Sequence, residues 1–262
     1  MPKIVEYKNE WKNSYLEESI LLRKAAKDNF INIHHIGSTS VPDLSSKDKI
    51  DIMLVVLDIT KLECENFAQV GYTLKGEYNI PMRIFGAKRE GKKVNLHIFE
   101  NGDNSIEQLL TFRDYLINNP IIRKEYEDLK IEISQLPDSD EKNGNIGLLN
   151  NYNLRKYDFI TRILDLASFN KPIIRFCAHN AEIDYLSRYF KNIDVRSKSL
   201  SEKFIILYLG TKIIGFSHII NTPASPKIDK IYLENNDKYL LEFFKKSCNK
   251  WISASELLKK FY

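Results

Sequence analysis

Between residues 50 and 57 every second position is apolar on both registers. Ile50, Ile52, Leu54 and Val56 alternate with Asp51, Met53, Val55 and Leu57, so only Asp51 breaks two otherwise apolar faces. That pattern predicts a strand enclosed within a sheet. Upstream, Trp11, Tyr15, Leu22 and Ala26 fall on one narrow stripe of a helix that Asn9 can cap, with charged residues elsewhere. Phe67 to Leu74 reads as a helix end running into a short strand. MRIFGAKR and KVNLHIF flank Glu90-Gly91 as a hairpin with a tight turn. On its second strand Val94, Leu96 and Ile98 form one face, and Asn95, His97 and Phe99 the other.

Helical spacing then returns. Ser105 and Gln108 form a capping-box pattern opening a helix to Asn118, striped by Ile106, Leu109, Leu110 and Ile117, with Arg113 near its middle. After Pro120, Ile122, Tyr126, Leu129 and Ile133 stripe a second helix. Beyond the polar loop PDSDEKNGN, Tyr152, Phe159 and Ile163 stripe a third, with Lys156 among them. A linker between Asp165 and Pro172 marks a domain boundary, giving domains at 1–168 and 171–262. The second reads as strand (173–177), helix (181–190), two strands about Gly210-Thr211-Lys212, a strand in PKIDKIYLE and a helix from Lys238 to Trp251.

Asp51 is the chemical anomaly, because a carboxylate at the start of a buried strand needs a cation, a metal or several hydrogen-bond donors. Gly37-Ser38-Thr39-Ser40, just upstream, is a hydroxyl-rich turn whose backbone can approach a ligand and offer N–H groups to phosphate. Two readings stand open: Asp51 pairs structurally with Arg113 or Lys156, or these groups share a site. Arg83 is equally open between a surface strand residue and a phosphate contact. His35 directly precedes the turn and can hold its shape through a ring N–H.

The stretch HIGSTSVPDLSSKDKIDI closely resembles the GrpB family of the nucleotidyltransferase superfamily. Similar features recur as Arg83 with Phe85, VNLHIF around His97, FRDYL at 112–116, Asn119-Pro120, Tyr126 with Leu129-Lys130, and Tyr152 with Lys156 and Phe159. The resemblance covers about the first 168 residues. The chain departs from the family pattern at Asp43 (usually Gly), at Lys47-Asp48 (usually Lys-Pro) and at Asn95-Leu96-His97 (usually His-Leu-His). Active nucleotidyltransferases also carry a second acid where Met53 stands.

The resemblance implies an α+β fold: a nucleotidyltransferase-like mixed sheet with flanking helices, then a smaller α/β domain whose element order resembles a truncated GNAT acetyltransferase. The implied activity is transfer of a nucleoside monophosphate from a nucleoside triphosphate to a small-molecule acceptor, with magnesium. Asp51 would hold the metal, and His97 would be a general base or metal neighbour. Gly37, Ser38, Thr39, Arg83, Arg113 and Lys156 would contact phosphates, with His35, Asn95 and Tyr152 in support. Met53 is a poor ligand for a hard cation, which keeps open a nucleotide-, phosphate- or coenzyme-binding module without transfer. Glu234-Asn235-Asn236-Asp237-Lys238 lacks the glycine loop of a GNAT enzyme, so the second domain reads as a packing, homodimerisation or acceptor-binding module.

Composition narrows the partners. Thirty-nine basic against 35 acidic residues give a net charge of +4, no strong case for nucleic acid or a membrane surface. Three cysteines without paired spacing, no apolar leader and no long apolar run predict a cytoplasmic protein; the resemblance implies a small-molecule or nucleotide ligand.

Overall fold

The computed structural model describes residues 3–141, 150–190, 202–221 and 226–261. The first half comprises β1 (Ile4–Val5), α1 (Glu10–Ala26), β2 (Phe30–Ile36), β3 (Ser46–Lys47), β4 (Ile50–Val56), α2 (Cys64–Gln69), β5 (Thr73–Leu74), β6 (Ile84–Lys88), β7 (Val94–Glu100), α3 (Asn104–Asn118), α4 (Pro120–Gln135), α5 (Asn151–Leu154) and α6 (Tyr157–Leu166). The second comprises β8 (Pro172–Phe176), α7 (Asn180–Ser187), β9 (Glu202–Leu209), β10 (Lys212–Asn221), β11 (Pro226–Leu233) and α8 (Lys238–Leu258).

Five strands form a mixed sheet in the order β2-β4-β7-β6-β5, in which β4 and β7 run parallel and the other neighbours antiparallel. The alternation along β4 sets its two faces. Ile50, Ile52, Leu54 and Val56 join the main core with Trp11 and Leu22 of α1, while Met53 and Val55 pack with Ile36 and Phe99 against Ile106, Leu109 and Leu110 of α3. Helices therefore cover both faces, which is what a central strand apolar on both sides requires. No helix among the described residues is long and apolar enough to cross a membrane.

Several local expectations are corrected. Asn9 precedes α1 but makes no side-chain cap bond. Ser105 lies inside α3, whose cap is Asp103, and the Asp103 carboxylate accepts from the Ser105 N–H at 2.7 Å. The β6–β7 turn is wider than Glu90-Gly91 suggests, because pairing stops at Lys88 and Val94. The third helix is two, and Lys156 sits at the N-cap of α6. Part of the polar loop before it, residues 142–149, lies outside the described residues.

The second sheet, β11-β10-β9-β8, is antiparallel throughout. One face packs with α7, and the other shares the main core of the first half: Phe176, Ile205, Leu207 and Ile219 cluster with Phe244, Cys248, Trp251 and Leu258 of α8 and with Ile98 and Ile59. Arg175 on β8 reaches across to Ser105 Oγ (3.0 Å) and Gln108 Oε1 (2.5 Å) of α3.

Candidate functional site

β4 and β7 run side by side with Asp51 opposite Asn95 and Met53 opposite His97. Because both strands alternate in phase, Asp51, Met53, Asn95, His97 and Phe99 share one face. The face is divided along its length. Its far end, Met53, Val55 and Phe99, is sealed under α3; its near end, Asp51, Asn95 and His97, is open, with 26% of the Asp51 side chain and 20% of the His97 side chain exposed.

Asp51 Oδ1 accepts from Asn95 Nδ2 at 2.7 Å, and His97 Nε2 lies 3.7 Å from the same oxygen, an electrostatic contact longer than a hydrogen bond. Burial raises the Asp51 carboxyl, but His97, Asn95 and Lys49 together outweigh it, leaving the group below its ordinary value and ionised. The Gly37-Ser38-Thr39-Ser40 turn closes over it. Gly37 has φ +69°, and a Cβ there would stand 2.6 Å from Asp51 Oδ2, so backbone and carboxylate touch as only glycine permits. His35 Nε2 lies 3.0 Å from Thr39 Oγ1 and the His35 ring stacks on Tyr15, so the ring touches both the turn and α1. Burial pulls His35 down to about 4, so it is neutral.

The cations gather differently from the expectation. Lys156 lies within electrostatic reach of Asp51, whereas the Arg113 guanidinium donates to the His35 carbonyl at 3.0 Å and to Asp114 Oδ1 at 2.7 Å. Arg113 therefore pins α3 to β2. Arg83 is neither a surface residue nor an exposed phosphate contact. Only 4% exposed, it lies behind His97, with Nη1 3.0 Å from His97 Nδ1 and Nη2 donating to the Glu77 carbonyl at 2.8 Å.

Other lysines take their place. Lys47 Nζ lies 3.7 Å from the centre of the Tyr152 ring and Lys156 Nζ 4.7 Å from it, so two ammonium groups lie against the same aromatic ring. Among the described residues neither is ion-paired with a carboxylate. Burial, then mutual repulsion with Lys47, pulls Lys156 down to about 8 against the attraction of Asp51; burial and Lys49 do the same to Lys47, also to about 8. Lys130, only 1% exposed, donates to the Ser45 carbonyl, and burial followed by Lys156 brings it to about 7. The centre of the Tyr126 ring lies 5.0 Å from Lys130 Nζ, and its phenol faces the Ser38 side chain, so Tyr126 stands between the turn and the lysine group. Lys47, Lys49, Lys130 and Tyr126 were missed as site residues in the sequence. A signal existed for the first two, since 47, 49 and 51 fall on every second position leading into β4.

The cluster sets one carboxylate among lysines, a set with more hydrogen-bond donors for an anion than oxygen ligands for a cation. No group of three His, Cys, Asp or Glu side chains among the described residues could hold a metal, and Met53 is packed away beneath α3. The donor set does not fit a magnesium ion.

Comparison with known proteins places the first half in a known family. Residues 1–166 match the family model described as GrpB protein. The chain is 38% identical over 141 residues to the UPF0157 protein YqkA of Bacillus subtilis, a match covering 52% of this chain but only 41% of that one. It is 28% identical over 170 residues to the glutamate-rich protein GrpB of Alkalihalophilus pseudofirmus, across 62% of this chain and 93% of the relative. The crystal structure of conserved protein GrpB from Enterococcus faecalis superposes with a TM-score of 0.55 at 32% identity, covering 63% of this chain and 96% of that one.

Proposed function

We propose, from the premise that this chain belongs to the GrpB family, that the cluster around Asp51 binds the phosphate groups of a nucleotide or other polyphosphorylated small molecule without a protein-held metal. The observation that carries this reading is the pair of ammonium groups, Lys47 and Lys156, held over Tyr152 beside a hydroxyl-rich turn. The Lys47 charge disfavours the charged form of Lys156, and a diphosphate that met both ammonium groups would offset that repulsion. Ser38 and the turn backbone supply further donors.

In titration calorimetry of the full chain in the presence of a chelator, pyrophosphate binds, and Lys156→Met weakens binding by roughly tenfold, about 1.4 kcal/mol for one charge-assisted contact. Asp51→Asn tightens it, because a carboxylate facing a phosphate is repulsive. No heat with either pyrophosphate or a nucleoside triphosphate would sink the proposal.

A second reading, nucleotidyl transfer with a metal arriving on the triphosphate, is favoured by the direct packing of Gly37 on Asp51, which joins loop and acid as the nucleotidyltransferase-like fold requires. Under it, label from an alpha-labelled triphosphate moves to a metabolite only with magnesium, and Asp51→Asn abolishes the transfer. For the second half, a degenerate GNAT-like module is the reading we adopt. At the start of α8 the Asp237 carboxylate accepts from the Leu240 N–H at 3.1 Å, occupying the helix end where a coenzyme pyrophosphate would sit. The free thiols of Cys64, Cys177 and Cys248 suit a cytoplasmic setting.

A further inference from the structure

Behind Asp51 a line of buried polar contacts leads out of the first sheet and ends on the second half of the chain. His97 Nδ1 lies 3.0 Å from Arg83 Nη1. Arg83 is anchored by Nε and Nη2 on the Glu77 carbonyl, at 3.3 and 2.8 Å. The Glu77 carboxylate in turn accepts from Trp251 Nε1 of α8, 3.1 Å from both oxygens, and from the Met82 N–H at 2.5 Å. A second clamp lies beside it, where the Phe176 N–H of β8 donates to the Asn79 carbonyl at 3.0 Å. Within this loop Tyr78 and Met82 hold φ of 55° and 61°. Such backbone is unfavourable for side-chain-bearing residues and persists where neighbours enforce it. Glu77, Arg83 and Trp251 are all at most 4% exposed, so solvent does not screen these contacts.

A guanidinium has only donors. Where Arg83 faces Nδ1, that nitrogen must accept, so His97 is neutral and carries its proton on Nε2, the atom turned toward Asp51. We infer that Arg83 is a positioning residue that locks His97 as an Nε2–H donor at the Asp51 site, and that the C-terminal half holds this lock through Trp251 and Glu77. His97 then serves the site as a hydrogen-bond donor, which replaces the general-base role that the family resemblance implies. The functional meaning rests on reading the Asp51 cluster as a ligand site, but the lock itself needs no ligand to be observed.

The test is long-range proton–nitrogen correlation of the full chain labelled at its five histidines, with His97 assigned through His97→Gln. In the unligated protein His97 shows protonated Nε2 and bare Nδ1. Arg83→Met gives a mixture of tautomers or a protonated ring, and Trp251→Phe, which keeps the ring packing and removes the indole N–H, moves the His97 signals in the same direction. A wild-type His97 protonated on Nδ1 overturns the lock, and is decisive even where Arg83→Met fails to fold. Unchanged signals in a folded Arg83→Met also overturn it, and unchanged signals in Trp251→Phe overturn the coupling between the halves. Failure to bind pyrophosphate would leave these spectra as they are, and so would count against the ligand and not the lock.

Discussion

Gly37 and the lysines beside it set what single residues can do here. Adding one methyl at Gly37 brings a Cβ to 2.6 Å from Asp51 Oδ2 and forces a side-chain-bearing residue to φ +69°. Gly37→Ala is expected to cost about 1–3 kcal/mol in urea unfolding, and to weaken pyrophosphate binding by displacing the turn and its backbone donors. The lysines predict opposite pH trends for stability and for ligand affinity. Lys47 and Lys156 near 8 and Lys130 near 7 lie below the 10.5 of an unfolded chain, so the folded protein binds fewer protons between about pH 7 and 10.5. Unligated stability should therefore rise across that window, as followed by urea midpoints. An anion prefers the protonated lysines, so pyrophosphate affinity should fall as pH passes through 8 in calorimetry. At this scale the sequence showed Asp51 as an anomaly, since a charge among apolar positions is visible in one dimension. It did not show where Arg113 and Arg83 would spend their hydrogen bonds, because a long side chain chooses its partner after the backbone is in place.

Between elements, the firmest polar tie runs from α1 to the sheet. Glu18, 4% exposed, accepts from Lys88 Nζ on β6 at 2.8 Å and from Tyr72 OH ahead of β5 at 2.8 Å. Glu18→Ala would leave a mostly buried ammonium and a phenol without that partner, and is expected to cost about 3–5 kcal/mol by thermal or urea unfolding; a loss below 1 kcal/mol would show that α1 is held by its apolar stripe alone. Most elements were legible because their periodicities are strong: β4 and β7 from alternation, α3 and α4 from helical stripes, the β9–β10 hairpin from two apolar runs about a short turn. What escaped was polar residues on apolar stripes. Glu18 sits between Trp11 and Leu22 in the core, and its partners are more than 50 residues away in sequence. The cap of α3 was misassigned for a local reason: Asp103 and Ser105 both offer a capping oxygen, and only the backbone angle at 103 decides between them.

Across the whole molecule, the two sheets share one apolar core, and the chain carries one tryptophan in each half. Trp11 and Trp251 are both almost fully buried, at 3% and 2% exposed, so Trp11 reports on the first half and Trp251, bonded to Glu77, on the second half and its seam with the first. Single-tryptophan variants, Trp11→Phe and Trp251→Phe, compared with circular dichroism of the same variants, should each give coincident urea transitions. A tryptophan midpoint separated from its own dichroism midpoint would mean that the halves unfold apart. The order of elements in the second half was readable from the sequence, but its seat on the first was not, because apolar residues announce burial without naming what buries them. The shared core also makes the chain a poor subject for dissection. Cleaving it near residue 170 would strip the cover from Ile98 and Ile59 and leave Trp251 and Phe176 facing water, so each fragment would begin life with a greasy scar and every reason to cling to its neighbours.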